Sequence, residues 1–587
     1  MNLLVFTTFI VLVYLLSYLP GRLIVQLLPL KSNEKFVLSF GVSFFLYYLL
    51  GFFQYIFNFP FFWGYLFLLS LVICLSFFLY TNKKLSLPSL EIKLLGIFFL
   101  GFLFVTSIQA LQPYYSGGGS YWDWYEYYFR SQFFFNHLSP FTAIGNTFLP
   151  QRMPLYHGAT SFFMSIFGNG FWVIQPINSL FNMSALLSCF LICSEYLLPK
   201  KRQITLFIIV MSLLLLNLHF VAQSTYPWTK AMTAYYILVG LYFFLKNYKE
   251  KSKLSIYLGL IFLAMGHLVH QVSFTYIFVV ALGFLIVSIK HKQFTHFFLA
   301  LLIHLILLST WYIWAYFTFG SSLTIASAQI VTETKNIPIG AKLDILFYDV
   351  EQTVLPVLNQ YSWNKISNDK NFFVFFYDFV YLFWGATMPS AISFSVSIPL
   401  IYFTSIKLIY IVRSGFHHFK IKFDHIILAF FILSGFLPLW YSTKGSGAAG
   451  LMLLPSTLLL ICFGVYAINH FAKKIGSKFI YLFSFFIIIE SMIGVGTKAL
   501  VPKFFLDPNV NKDIDMKRDL YDLSQDQQYK GFAVHLKNYT LKTDNHLILL
   551  YDKFADLQPF FVLVFITLWI TLVGMLVRSL FILAHQD

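Results

Sequence analysis

An acidic pair set among aromatic residues is the first feature that could do chemistry. The stretch "SYWDWYEYYFRSQF" (120–133) follows a glycine run and carries Asp123 and Glu126 three residues apart. If the stretch is helical, both carboxylates lie on one face of the helix. Such a pair can act as a general base or bind a divalent cation through oxygen ligands. The alternative is a solvated interfacial helix whose acids carry no function.

Basic residues in three other connecting segments are candidates for holding a phosphate group. They are Lys230 in "STYPWTKAMTAYY", Arg152 in "QRMPLYHGATSFF", and Lys444 in "WYSTKGSGAAGLMLLP". A lysine supplies a compact positive charge suited to a phosphate, and a Gly-Ser turn lets backbone amides approach it. Tyr156 and His157 follow Arg152 and could face the same site. The alternatives are a lysine side chain that reaches the membrane interface and a plain loop entering a helix.

Two histidines and a second acidic pair complete the candidates. His267 and His270, in "GHLVHQVSF", are three residues apart at a turn between two apolar segments. They could bind phosphate, sugar hydroxyls or a metal ion, or form a hydrogen-bonded structural pair. Asp349 and Glu351, in "FYDVEQTVLP", form an acid-x-acid pair in a later connection.

The elements that position these residues are membrane-spanning helices. The chain is 58% hydrophobic and only 11% charged, far less charged than a soluble domain. Apolar runs long enough to cross a bilayer recur along it, so we predict an all-α polytopic membrane protein. We predict about fifteen spans, near 2–19, 36–57, 61–80, 94–111, 172–197, 203–221, 231–245, 254–270, 272–289, 294–316, 390–412, 425–441, 449–469, 479–497 and 559–583.

The charged connections predict the orientation of these spans. Short basic connections such as "TNKK" (81–84) and "PKKR" (199–202) fall on one face, which the positive-inside rule makes cytoplasmic. The long connections 112–171, 317–389 and 498–558 then fall on the opposite face. All the candidate site residues therefore share the extracytoplasmic side. The net charge of +16 is explained by this bias, and we expect no nucleic-acid partner.

The acidic stretch resembles the first outer loop of the GT-C superfamily of integral-membrane glycosyltransferases. The order of Asp123, Trp124, Tyr125, Tyr128 and Arg130 is similar to that in oligosaccharyltransferase catalytic subunits, and protein O-mannosyltransferases carry an Asp-Glu pair there. The resemblance implies that Asp123 is the catalytic base with Glu126 as its partner. It also implies that Asp349 and Glu351 match a second acidic motif that joins the first around a metal ion. "LMLLP" after Lys444 resembles a further stretch of these families.

The resemblance implies a division of the chain into four parts. Residues 1–93 would form N-terminal transmembrane helices, and 94–497 a GT-C-like core with outer loops 112–171 and 317–389. Residues 498–558 would form a small extracytoplasmic cap, and 559–587 a C-terminal transmembrane helix.

The function we expect is transfer of a sugar from a polyprenyl-phosphate-linked donor to an extracytoplasmic acceptor, which is a cell-envelope glycan, lipid or protein. The partners are then the lipid-linked sugar, the acceptor and membrane lipid, in a bacterial inner membrane with the site on its outer face. If a metal is used, Mg²⁺ or Mn²⁺ bound by Asp123, Glu126, Asp349 and Glu351 is expected. The alternatives are a flippase or exporter, or an O-antigen ligase or polymerase, handling polyprenyl-linked glycans.

Overall fold

The chain folds as a bundle of α-helices. The computed structural model describes residues 2–82, 87–113, 123–144, 149–198, 202–328, 338–354, 392–414, 422–437, 453–500, 540–541 and 548–585. The helices are α1 (Asn2–Gln26), α2 (Ser32–Phe57), α3 (Phe61–Thr81), α4 (Ser89–Ala110), α5 (Asp123–Phe135), α6 (Leu155–Phe167), α7 (Phe171–Ile192), α8 (Gln203–Leu215), α9 (Leu218–Thr225), α10 (Lys230–Glu250), α11 (Lys253–Val269), α12 (Ser273–Lys290), α13 (Phe294–Ala328), α14 (Ile339–Val354), α15 (Phe394–Ser414), α16 (Phe423–Ser434), α17 (Leu454–Ile475), α18 (Ser477–Ser491), α19 (Leu550–Lys553) and α20 (Gln558–Ala584).

The predicted all-α membrane fold is confirmed. Within the described residues, eleven helices are long and apolar enough to cross a bilayer, or twelve if the bent pair α8–α9 is one span. The remaining predicted segments are also helical, but they are shorter or more polar: α11 has 17 residues, α16 has 12, and α10 ends in "KNYKE". The chain is therefore an integral, multi-pass membrane protein.

The segment predicted as one span at 203–221 is instead two helices that meet at an angle of 81°. The break falls at Asn217, whose side-chain oxygen accepts hydrogen bonds from the backbone N–H groups of His219 and Phe220, at 2.8 and 3.4 Å. An asparagine in this position caps a new helix, so it ends α8 and starts α9 in a new direction. The bend directs α9 toward the turn that carries Lys230.

Central and peripheral helices differ sharply in exposure. Every residue of α7 except Trp172 is buried, whereas α3 buries only Gly64 and Leu79 and leaves its other residues partly or fully exposed. In a bilayer, that exposure means contact with lipid. Between these extremes, α2 and α6 approach closely where Gly51 meets Gly158: a Cβ on Gly51 would lie 2.3 Å from the Gly158 carbonyl oxygen. This close approach holds α6, which carries Tyr156 and His157, against the bundle.

Buried ion pairs mark the end of the bundle that the charge pattern predicts to be cytoplasmic. Arg22, near the end of α1, makes a two-pronged contact with Glu91 at the start of α4, and Tyr18 donates to the same carboxylate. Lys246, near the end of α10, pairs with Glu34 at the start of α2. Because buried charges must be paired, these contacts fix which helix ends lie together.

Contacts also join the two predicted outer connections 112–171 and 498–558 and the helix ends beside them. Ala143–Ile144 (β1) pairs in parallel with Thr540–Leu541 (β2). Gln558, at the start of α20, donates to the carbonyl of Ala110 at the end of α4 over 2.7 Å. Most of the predicted cap, 501–539 and 542–547, lies outside the described residues.

Breaking a buried ion pair should destabilise the bundle strongly. We expect Arg22→Met to lower the free energy of unfolding by about 3–5 kcal/mol, because it leaves the buried Glu91 carboxylate without its cation. Lys31→Met is the matched control. Its partner is Glu195, but the Lys31 side chain is 52% exposed, so a loss below about 1 kcal/mol is expected. Denaturant titration of the purified protein in detergent measures both, and equal losses would contradict this account of the inner end.

The orientation of the bundle can be tested with cysteines introduced at its two ends. Asn169 lies between α6 and α7, Lys253 lies at the opposite end at the start of α11, and both are exposed. In a Cys74→Ser background, a membrane-impermeant maleimide should label Asn169→Cys on intact cells and Lys253→Cys only after permeabilisation. The reverse pattern would overturn the assignment of the faces.

Candidate functional site

Helix α5 begins at the predicted acidic pair. It runs from Asp123 to Phe135, so the helix expected from the sequence is present, and Asp123 and Glu126 lie one turn apart at its start. The side chains of both acids lie outside the described part of the structure. Tyr127 lies one turn after Asp123 and Arg130 lies two turns after it, and both side chains are buried. The start of α5 is therefore held against the bundle by its own following residues.

Three aromatic rings join α5 to α6. The ring of Tyr127 stacks on the imidazole of His157 at a centroid distance of 5.5 Å and an interplanar angle of 18°. Tyr156 meets the edge of Tyr127, also at 5.5 Å. All three side chains are buried. The sequence analysis predicts that Tyr156 and His157 face a substrate, and the structure places both beside the acidic helix, packed within the protein.

His137 follows α5 and adds no charge to this region at neutral pH. Its imidazole packs against the rings of Tyr55 and Phe61 at centroid distances of 6.5 and 5.8 Å. Burial lowers the pKa of His137 below its ordinary value, so the neutral form is favoured.

A buried amide network connects α6 to the turn between α9 and α10. The hydroxyl of Tyr156 donates to Oδ1 of Asn178 on α7 over 2.9 Å. Nδ2 of Asn178 donates to the carbonyl of Tyr226, and Nδ2 of Asn182 donates to the same carbonyl, at 2.9 and 3.1 Å. Sequence analysis missed both asparagines. Their spacing of four residues within an apolar span was the available signal, because paired amides there usually form hydrogen bonds between helices.

The predicted lysine and histidine meet at the ends of α10 and α11 that the charge pattern predicts to be extracytoplasmic. Nζ of Lys230 lies 2.6 Å from Nε2 of His270. Nδ1 of His270 accepts from the backbone N–H of Val272 over 3.1 Å. Arg152 is close enough for its positive charge, like that of Lys230, to act on His270. Three candidates from three separate segments of the sequence are thus brought together.

His267 has a different environment from His270. Its Nε2 lies 2.7 Å from the hydroxyl of Tyr312 on α13, and its Nδ1 lies 3.2 Å from the hydroxyl of Ser273. Both ring nitrogens are therefore engaged by the protein. His267 lies in the last turn of α11, three residues before His270. Of the alternatives left open by the sequence, this geometry favours a hydrogen-bonded role for His267 over a role as a ligand.

Several buried polar atoms near this cluster have no hydrogen-bond partner among the residues that the structure describes. On the turn that leads to Lys230 they are both amide atoms of Gln223, the hydroxyls of Ser224 and Thr229, and Nε1 of Trp228. Oε1 of Gln271, next to His270, is another. Buried polar atoms are almost always satisfied, so these atoms are expected to bond to water, to a polar ligand or to residues outside the described ranges.

The metal prediction rests on residues whose side chains are outside the described part. Asp123 and Glu126 lie on α5, and Asp349 and Glu351 lie on α14, with only their backbone described. Among the described side chains, no group of three His, Cys, Asp or Glu could hold a metal ion. A divalent cation therefore stays a prediction. Lys444 also lies outside the described residues.

No protein-family model and no curated protein matches the sequence. Among solved structures, ArnT from Cupriavidus metallidurans bound to undecaprenyl phosphate is similar at 11% identity and a TM-score of 0.44, covering 84% of this chain and 76% of that chain. Its apo structure gives 12% identity and the same TM-score, covering 82% and 75%. Similarity at this level carries no argument about the activity of this chain.

Proposed function

We propose that this protein is a membrane glycosyltransferase that moves a sugar from a polyprenyl-phosphate-linked donor to an acceptor on the outer face of the membrane. The acceptor class is a cell-envelope glycan, lipid or protein. The observation that carries the proposal is the contact between Lys230 and His270, on which the charge of Arg152 also acts, in a region joined to the acidic helix α5 through Tyr156 and Asn178.

The chemistry of this contact suits an anion. A lysine ammonium has only donors, and a neutral imidazole whose Nδ1 accepts from Val272 carries its proton on Nε2. With this tautomer both nitrogens are donors, and an anion that accepts from both would move them apart from their present distance of 2.6 Å. A phosphate oxygen can accept from both groups at once, and Arg152 adds a second permanent positive charge.

The neighbouring acidic helix supplies the group that the transfer reaction needs. In the proposed reaction Asp123 removes the proton from an acceptor hydroxyl, and that oxygen attacks the sugar carbon bonded to the phosphate. The bond between this carbon and the phosphate oxygen breaks, and the polyprenyl phosphate leaves with an added negative charge. Lys230, Arg152 and Lys444 would stabilise that charge, with Glu126 assisting Asp123.

The unsatisfied polar atoms near Lys230 are of the kind that recognises a sugar. Gln223 offers a donor and an acceptor, Thr229 a hydroxyl, and Gln271 an acceptor. Sugar hydroxyls both donate and accept, so they match this mixed set. His267 would line the same region through its contact with Tyr312.

The positive charge of the described residues is less suited to a flippase or exporter, which needs cations along a path through the bilayer. At the inner end of the bundle, Arg22 and Lys246 are each neutralised by a buried carboxylate. The cluster of Lys230, His270 and Arg152 lies instead at one end of the bundle.

Substitution of the proposed base and of the proposed phosphate ligand tests the function. Purified protein would be given polyprenyl-linked sugars from a lipid extract, and the donor that is consumed would be identified. We expect Asp123→Asn to slow transfer by about 10²–10⁴-fold, because the general base is lost. Lys230→Met should slow it by about 10²-fold, because the leaving phosphate loses a stabilising charge.

Matched controls are available on the same face. Asp556 is an exposed acid that accepts from Asn2, and Lys553 lies over the ring of Trp172 at 5.3 Å. Asp556→Asn and Lys553→Met should leave transfer unchanged. Unchanged transfer in Asp123→Asn, with normal expression, would remove Asp123 from its role. Lipid translocation without any sugar transfer would favour the exporter instead.

A further inference from the structure

One buried side chain links the two halves of the candidate site. Asn178 lies on α7, in which every residue except Trp172 is buried, and its own side chain is fully buried. Its Oδ1 accepts from the hydroxyl of Tyr156 at 2.9 Å and from Nδ2 of Asn182 at 3.1 Å, and its Nδ2 donates to the carbonyl of Tyr226 at 2.9 Å. The amide thus uses its donor and its acceptor toward different elements.

On one side, the network fixes the turn that carries Lys230. The Tyr226 carbonyl accepts from both Asn178 and Asn182. Asn182 also donates to the Gln223 carbonyl at 3.0 Å and accepts from the backbone N–H of Met232 at 3.3 Å. In the chain, Lys230 lies between two of these anchored positions, Tyr226 and Met232. The path of the backbone around Lys230 is therefore set by two asparagines on α7.

On the other side, the network reaches the acidic helix. Tyr156, whose hydroxyl meets Asn178, packs its ring against Tyr127 at 5.5 Å, and Tyr127 lies one turn after Asp123 on α5. A single amide therefore touches the residue that supports α5 and the carbonyl that anchors the Lys230 turn.

We propose that Asn178 is a positioning residue, which fixes the position of Lys230 relative to α5. The lysine that binds the phosphate and the base Asp123 can then act on one substrate. This inference rests on the proposed function of the site. Asparagine is suited to the role because it presents a donor and an acceptor on one rigid group. Aspartate has nearly the same shape, but it turns an acceptor toward the Tyr226 carbonyl, which pushes the turn away.

The inference predicts a specific defect in binding of the phosphate. The probe is a short-chain polyprenyl phosphate, and its Kd is measured on the purified full-length protein. We expect Asn178→Asp to raise the Kd about tenfold, and Tyr156→Phe, which removes only one hydroxyl, to raise it about threefold. Ser188→Ala is the matched control: Ser188 is buried on the same helix, and its hydroxyl donates only to its own helix at Ala185. Its Kd should not change.

A double-mutant cycle separates positioning from a general loss of structure. Lys230→Met should raise the Kd about tenfold, and the variant carrying Asn178→Asp as well should be scarcely weaker, because the lysine that Asn178 positions is already gone. A product of the two single effects, about 100-fold, would overturn the inference. An unchanged Kd in both Asn178→Asp and Tyr156→Phe would also overturn the inference if Lys230→Met binds weakly. Tyr156→Phe carries little risk of misfolding, so it keeps this test valid. An unchanged Kd in Lys230→Met would instead overturn the proposed function, and the inference with it.

Discussion

An unpaired polar group inside a bilayer costs several kcal/mol, and this constraint decides where the chain places its polar side chains. Two groups of them, called here the inner and outer layers, lie toward the ends of the bundle that the charge pattern predicts to be cytoplasmic and extracytoplasmic. At the inner end the contacts are ion pairs, such as Arg22 with Glu91, which join helix ends that are far apart in sequence. At the outer end they are mostly amides, such as Asn178 and Asn182. The apolar helices between the layers keep the two ends in register.

The outer layer differs from the inner one in a way that matters for function. The inner pairs neutralise each other and leave a stable, inert end. In the outer layer the amides satisfy one another, but on the neighbouring turn several buried polar atoms, among them those of Gln223 and Thr229, have no hydrogen-bond partner among the residues that the structure describes. A stable network beside an unsatisfied one is the arrangement expected where a ligand completes the hydrogen bonding. The hydrogen bonds among the amides then hold the site rigid, and the polar atoms of the turn bind the ligand.

The sequence predicts most of the fold and part of the site, for physical reasons that differ. In the residues that the structure describes, each of the fifteen apolar segments is helical, because segment length and hydropathy are local properties. The bend at Asn217 was not predicted, because a single cap residue inside an apolar run carries little weight in a span count. The meeting of Lys230, His270 and Arg152 depends on the packing of distant segments, and so do the contacts of His267 with Tyr312 and of Tyr156 with Asn178. Residue types and spacing can identify such groups as candidates, but only the packed bundle shows which of them are in contact.

The central claim is that Lys230 and His270 receive the phosphate of a membrane lipid beside the acidic helix. The most direct test is a cryo-EM map of the protein in a lipid nanodisc with a polyprenyl phosphate added. We predict that the phosphate lies within hydrogen-bond distance of Nζ of Lys230 and Nε2 of His270, with the Asp123 carboxylate facing the same cavity. A phosphate bound elsewhere, or an Asp123 side chain directed into lipid, would contradict the account.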